Sequence, residues 1–222
     1  MTPRIIAIGD IHGCSKTFKK LLLDELRIQQ TDEIYCLGDY IDRGYDSKGV
    51  VDFILELREK KFHIHTLRGN HEQVMMDSTL NEENYRNWLA LGGARTLNSF
   101  GVRYYHEFDL AYINFFKDTE LFIETGNYIF VHAGLNFKNH DLFEDKDAML
   151  WIRDFKVDKN KLGNRIVVHG HNPHPKDFIL NQKIENAVNI DAGCVFNDRK
   201  GYGSLIALNL TERKFIAVKN CE

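Results

Sequence analysis

Hydrophobic and polar positions switch between two periods along the first seventy residues. Arg4–Ile8 is a short apolar run of the kind that forms a buried strand. From Ser15, the apolar residues Phe18, Leu21, Leu22 and Leu26 fall on one helical face, with Ser15 as the expected cap. Glu33–Leu37 is strand-like again. Ser47 begins a second helix with Val50, Val51, Ile54 and Leu55 as its buried stripe, and Phe62–Leu67 is a third strand. This βαβαβ order predicts parallel strands joined by helical crossovers.

The stretch from about 81 to 122 is more helical and more aromatic, with Tyr85, Trp88, Phe100, Tyr104, Tyr105, Phe115 and Phe116. It reads as a helical insertion within one domain spanning 1–222. Strand-like runs return at Tyr128–Val131 and Arg165–Val168. The last three runs, Ile184–Ile190, Gly203–Leu210 and Lys214–Lys219, read as antiparallel strands. The prediction is a mixed α/β architecture with two kinds of sheet region.

Composition narrows the function classes. With 43% apolar and 27% charged residues, the chain is neither disordered nor a disulfide-stapled miniprotein. Its net charge of −3 offers no electrostatic footprint for nucleic acid or an acidic membrane. Any polyanionic substrate then needs local positive charge, and a metal ion is the obvious supplier. The strand-like start leaves no room for a signal peptide, and no apolar stretch reaches the ~18 residues of a membrane helix. The expectation is a soluble cytoplasmic protein with neither nucleic-acid nor membrane partners. Cys14, Cys36, Cys194 and Cys221 form no paired spacing and read as reduced, mostly buried thiols.

The chemistry sits at the ends of strands. The first runs into Gly9-Asp10-Ile11-His12-Gly13, the second into Gly38-Asp39-Tyr40-Ile41-Asp42-Arg43-Gly44, and the third into Arg68-Gly69-Asn70-His71-Glu72. Tyr128–Val131 runs into His132-Ala133-Gly134, and Arg165–Val168 into His169-Gly170-His171. Ligands of α/β sheets bind beyond the carboxyl ends of the strands. Each end here carries a metal-competent side chain beside a glycine, which lets backbone approach a small ligand closely. Oxygen and imidazole donors without thiolate select hard or borderline divalent ions such as Mn, Fe, Zn or Mg. Asp10, His12, Asp39, Asn70, His132 and His171 are too many for one ion, so a two-metal site fits better, with Asp39 central enough to bridge. Two metals about 3.5–4 Å apart are the usual arrangement for phosphoester hydrolysis.

Taken singly, these motifs have plainer readings. A Gly-Asp-x-His-Gly segment is equally a tight turn with a capping Asp, and a lone His after a strand is more often a hydrogen-bonded structural residue. His63, His65, His106, His140 and His174 take that structural reading. Five strand ends repeating one pattern do not.

The series GDIHG, GDYIDRG, RGNHE, HAG and HGH, in that order, resembles the phosphoprotein phosphatase family of metallophosphoesterases, most of all its compact bacterial and phage serine/threonine phosphatases. Trp88–Phe100 is similar to a stretch between the third and fourth motifs of the compact bacterial members. Asn189–Phe196 is similar to the strand after the last motif there and in the related diadenosine tetraphosphatases. The resemblance implies a calcineurin-like metallophosphoesterase fold, α/β, with a mixed β-sheet sandwich flanked by helices.

It also implies roles. Asp10, His12 and a bridging Asp39 would bind one metal; Asp39, Asn70, His132 and His171 would bind the other. His71 would be the general acid, oriented by Asp42. Arg43 and Arg153 would hold the phosphate, while Arg68 and Glu72 support the motif. The family pattern places the ligand at His171 and not His169. Asn172 departs from the commoner Gly-His-Thr, which leaves the ligand intact and puts the neighbouring hydrogen bond in question. Asp191 and Tyr202 could approach the site, though each reads first as a packing or turn residue.

The implied cofactors are two divalent ions, Mn first, with Fe, Zn or Mg as alternatives. They would lower the pKa of a shared water for direct attack on the phosphorus. A cysteine nucleophile at Cys14 lacks the Cys-x5-Arg signature. The implied activity is hydrolysis of phosphoserine and phosphothreonine in a phosphoprotein or phosphopeptide partner; some such enzymes also take phosphotyrosine. A dinucleoside polyphosphate hydrolase of the same fold is the second reading, disfavoured by Asp42-Arg43 where those enzymes usually carry Ala-Arg. A non-catalytic phosphate-binding protein is the third, disfavoured because every ligand type is present.

Overall fold

In the computed structural model, which describes residues 3–222, the strands run in chain order as β1 (Ile5–Ile8), β2 (Glu33–Cys36), β3 (His63–Thr66), β4 (Phe122–Glu124), β5 (Tyr128–Val131), β6 (Ile166–His169), β7 (Ala187–Asn189), β8 (Ser204–Asn209) and β9 (Lys214–Lys219). The first seven α-helices are α1 (Ser15–Lys20), α2 (Ser47–Glu59), α3 (Asn70–Asp77), α4 (Glu82–Trp88), α5 (Ala94–Phe100), α6 (Leu110–Lys117) and α7 (Lys146–Trp151). One sheet has the order β3-β2-β1-β8-β9 and the other β4-β5-β6-β7. The βαβαβ expectation holds: β1, β2 and β3 are parallel.

Strand alternation explains the layering. In β1, Ile6 and Ile8 face a core shared with Phe18, Leu21, Val50 and Ile54 of the helical side. Ala7 faces the other way, into a core shared with Phe130, Val168 and Val188 of the second sheet. Tyr35 stacks on Phe130 across the two sheets, with ring centroids 4.0 Å apart. Ile129, Val131 and Val167 turn outward onto Leu135, Met149 and Leu162. The two sheets therefore pack face to face, with helices outside each. Each large apolar side chain taken fully out of water here contributes about 1.5–3 kcal/mol.

Several local expectations need correction. Ser15 does not cap its helix; Cys14 is the flanking residue, and the Ser15 hydroxyl donates to Asp46 Oδ2 at 2.5 Å. Asp46 is instead the cap of α2, accepting from the Gly49 N–H. Leu55 is only half-buried, because Phe53 and Leu57 complete the α2 stripe. The strand expected at Ile184–Ile190 shrinks to β7, which is parallel to β6 and lies in the second sheet, not antiparallel with the chain end. A helical connection between β6 and β7 returns the chain in the same direction, which forces the parallel pairing. β4 pairs antiparallel with β5 and begins where the helical stretch was expected to end. No helix among the described residues is long and apolar enough to cross a membrane.

This topology brings the carboxyl ends of β1, β2 and β3 from one sheet to the same edge as those of β5 and β6 from the other. That edge holds the side chains selected from the sequence.

Candidate active site

The loops at this edge adopt costly backbone conformations. Of nine non-glycine residues with positive φ among the described residues, five are His12 (48°), Asp39 (52°), Asp42 (67°), Arg43 (63°) and His171 (66°). Such concentrated strain persists only where surrounding structure over-determines it. Two glycines are required by close approach. A Cβ on Gly170 would meet Asp10 Oδ1 at 2.1 Å, and one on Gly69 would meet Asp39 Oδ1 at 2.1 Å.

Asp39 lies at the centre and is 2% exposed. Its Oδ2 is 3.3 Å from His12 Nε2 and its Oδ1 is 3.6 Å from His132 Nε2. Two sets of ligand atoms converge within 4.8 Å: His12, Asp39 and His71, and Asp39, His132 and His171. Asn70 completes the second set, with Oδ1 3.0 Å from His132 Nε2 and 2.9 Å from His171 Nδ1. Asp10 joins neither trio. Its buried carboxylate accepts from the His171 backbone N–H at 3.2 and 3.1 Å, beside the second set. His169 stays outside, its ring 5.2 Å from that of Phe155.

The proton inventory shows that these residues fit divalent cations. His12 Nδ1 must donate to the Ile41 carbonyl at 2.8 Å, and His132 Nδ1 to the Leu37 carbonyl at 2.9 Å. In the neutral rings each Nε2 is then a lone pair, a tautomer set by the second hydrogen bond. Burial favours those neutral rings, pushing His12, His132 and His171 down, the last to about 3. The His132 lone pair thus faces the Asp39 carboxylate and the Asn70 carbonyl, an arrangement that a cation between them resolves, while His12 Nε2 also accepts from Arg43 Nη1. His171 Nε2 is buried with no hydrogen-bond partner. Burial works to raise the Asp39 carboxyl, but the positive charge around it, including that of His71 and Arg43, outweighs burial and holds it well below the usual range.

A second constellation adjoins the first. His71 Nδ1 donates to Asp42 Oδ2 at 2.7 Å, while its Nε2, 4.0 Å from Asp39 Oδ2, is buried without a hydrogen-bond partner. Burial opposes charge on this ring, yet Asp39 and Asp42 prevail and raise its pKa. Asp42 is itself fixed by the Thr96 hydroxyl at 2.6 Å and by Trp88 Nε1 at 3.1 Å. Sequence reasoning did not assign these two partners, although both lie in the Trp88–Phe100 stretch it singled out.

Glu72 holds the Asp39 loop. One oxygen accepts from the Asp39 and Gly69 N–H groups at 2.8 and 2.9 Å; the other accepts from Tyr40 at 2.8 Å and Ile41 at 3.4 Å. Burial and the Asp39 charge push its carboxyl up to about 8, against the His71 charge and the Asp39 and Gly69 N–H donors. Glu72→Gln replaces one acceptor by an NH2 group facing backbone donors. We expect a stability loss of about 1–3 kcal/mol, read as a lower denaturation midpoint at unchanged m. An unaltered midpoint would remove Glu72 from this role.

The two arginines expected to hold phosphate, Arg43 and Arg153, are placed differently. Arg43 Nη1 is 2.7 Å from His12 Nε2, at the rim of the first set. Arg153 is exposed just beyond α7, and no side-chain hydrogen bond or ion pair engages it among the described residues. Asn172 resolves the departure noted in the sequence: its amide donates to the Arg153 carbonyl at 3.2 Å and so anchors that segment. Arg68 braces β3 against the end of α6 through Thr119 and the Lys117 carbonyl. Asp191 is buried and accepts from the Gly193 N–H, and Tyr202 packs at the same turn. Burial, with the Asp39 charge added, pushes the Asp191 carboxyl up to about 7, so Asp191 stands at a turn and also approaches the site.

A family model described as calcineurin-like phosphoesterase matches residues 3–199. The asymmetrical bis(5'-nucleosyl)-tetraphosphatase PrpE of Anoxybacillus flavithermus is 26% identical, over 95% of this chain and 92% of that protein. Serine/threonine-protein phosphatase 1 of Salmonella typhimurium is 38% identical, over 39% of this chain and 37% of that protein. Five curated relatives that match at 32–42% identity do so over less than half of their own length. A crystal structure titled as a putative diadenosine tetraphosphatase superposes with a TM-score of 0.72 at 21% identity, covering 100% of this chain and 96% of that one. That likeness concerns the fold.

Proposed function

This chain belongs to the calcineurin-like phosphoesterase family, and from that premise we propose that it hydrolyses phosphate monoesters of serine and threonine in proteins. The observation that carries the reading is the buried His71–Asp42 pair, with Nδ1 bound to the carboxylate at 2.7 Å and Nε2 free beside Asp39. Such a pair supplies a proton to a leaving oxygen. A serine or threonine alkoxide needs that proton as its P–O bond breaks. A nucleotide leaving from a polyphosphate departs as a stabilised phosphate anion and needs it far less.

Asp10, His12 and Asp39 would hold one divalent ion, and Asp39, Asn70, His132 and His171 the other. When bound, two such ions supply Lewis acidity toward the phosphoryl oxygens and water of lowered pKa; Mn suits the donors best, with Fe, Zn or Mg as alternatives. Arg43 and Arg153 offer planar guanidinium forks that match phosphate oxygens. His71, held as the charged ring by Asp39 and Asp42, delivers its Nε2 proton to the departing oxygen. Thr96 and Trp88 keep Asp42 aimed at Nδ1 throughout. No cysteine takes part, and no covalent phosphoenzyme is required.

The second reading is a dinucleoside polyphosphate hydrolase, favoured by the PrpE match over nearly the whole of both chains. A substrate panel at saturating Mn separates the two. Phosphoserine and phosphothreonine peptides are expected to exceed diadenosine tetraphosphate in kcat/KM by at least about tenfold, the discrimination expected when one substrate alone depends on the proton donor. The reverse order would replace the first reading with the second.

A further inference from the structure

Three arginines lie along one side of the site, and only Arg43 has a role above. Arg95 Nη1 donates to the Arg43 carbonyl. Its guanidinium carbon lies 4.3 Å from the centroid of the exposed Tyr45 ring. The Arg199 guanidinium sits 4.4 Å over Phe196, the ring that Arg43 also approaches at 5.6 Å. Arg43, Arg95, Leu91 and Phe196 line one open groove of about 460 Å³. Among the described residues, none of the three guanidiniums forms a salt bridge. Arg43 faces the buried acids of the site, whereas Asp198 and Glu222 line the neighbouring cavity with Arg95 and Tyr45, and Glu222 is already engaged by Thr17.

In a protein of net charge −3, such a run of unpaired guanidiniums beside the phosphate arginine is a local exception. Packing over a ring holds the Arg95 and Arg199 heads in place, and their N–H groups other than Arg95 Nη1 remain to bind an anion in a fork. The occupied ring faces are correspondingly less available to a nucleobase. Resting on the phosphoester-hydrolase reading above, we propose that Arg95 and Arg199 form a second anion subsite, which binds a further negatively charged group of the substrate while Arg43 holds the phosphate being cleaved. A carboxylate or second phosphate next to a phosphoserine supplies such a group. So does the remaining phosphate chain of a polyphosphate.

The experiment reads ratios of kcat/KM within each protein, so a general loss of activity cancels. One ratio compares a doubly phosphorylated peptide with its singly phosphorylated form, and the other compares diadenosine tetraphosphate with p-nitrophenyl phosphate. The wild-type protein is expected to favour the multiply charged member of at least one pair by about tenfold, the effect of one charge-assisted hydrogen-bond pair. R95Q/R199Q should bring that ratio close to one, with R95K/R199K in between because lysine keeps charge and loses the fork. A fall in the peptide ratio places the anion on a protein substrate, and a fall in the other ratio places it in a polyphosphate. If the double variant misfolds, R199Q alone, on an exposed side chain, gives the same reading. The subsite is overturned if neither wild-type ratio exceeds about twofold, or if the substitutions leave both unchanged. Failure of the protein-phosphatase reading looks different: phosphopeptides are then not cleaved, while the polyphosphate ratio still falls in the variant.

Discussion

Asp39→Ala is expected to weaken both metal sites together and to lower kcat by at least about 10³-fold, the upper figure for loss of one preorganised electrostatic group. The reason is position. One Asp39 oxygen lies 3.3 Å from His12 and the other 3.6 Å from His132, so its carboxylate is shared by two converging sets of ligand atoms. His12, Asn70, His132 and His171 serve one set each, and Asp10 lies beside the second. After dialysis against chelator and return of excess Mn, elemental analysis should find less than stoichiometric metal at both sites. The wild-type protein under the same treatment should lose turnover with the chelator and regain it with Mn. His132→Ala provides the contrast, with metal loss concentrated at one site. Retention of one full equivalent by Asp39→Ala would mean that Asp39 does not bridge. Full wild-type turnover in the chelated, metal-free state would overturn the metal requirement itself.

The candidate ligands were legible because each stands within a few residues of a strand end and within two residues of a glycine, a local pattern that needs no knowledge of tertiary structure. Gly170 and Gly69 show what it encodes, since a side chain at either position would collide with Asp10 or Asp39. The supports of the His71–Asp42 pair were not legible. Trp88 and Thr96 reach Asp42 across 46 and 54 residues, and nothing in their own neighbourhood marks a buried indole N–H or hydroxyl for that carboxylate. The same limit governs the fold. β1 and α2 declare themselves by periodicity, whereas β4 and β7, of three residues each, are too short to display a period. Whether β7 joins the first sheet or the second depends on the direction of the crossover before it, a property of the assembled chain. Asn172 is a smaller case: its departure from the motif is visible in the sequence, but its bond to the Arg153 carbonyl is not.

His71→Asn separates proton donation from metal binding. Asn70 Oδ1 faces His132 and His171, whereas His71 is tied through Nδ1 to Asp42, so the variant is expected to keep both ions. Its cost should then depend on the leaving group. A serine alkoxide must be protonated as it departs, and for a phosphoserine peptide kcat should fall by ~10²–10⁴, the range for removal of a general acid. The p-nitrophenolate anion is stabilised without a proton, so the loss on p-nitrophenyl phosphate should be clearly smaller. Asp42→Asn should give a milder form of the same selectivity, because it weakens the bond that orients the ring while Nε2 remains. Thr96→Val should move in the same direction and less far, since Trp88 still donates to Asp42 when the hydroxyl is gone. This graded series, measured as kcat on both substrates at saturating Mn with bound metal counted, follows the chain of contacts from Thr96 through Asp42 to His71. Equal losses on the two substrates would make His71 a group that positions the phosphate, and loss of an ion from His71→Asn would make it a ligand of the His12–Asp39 set.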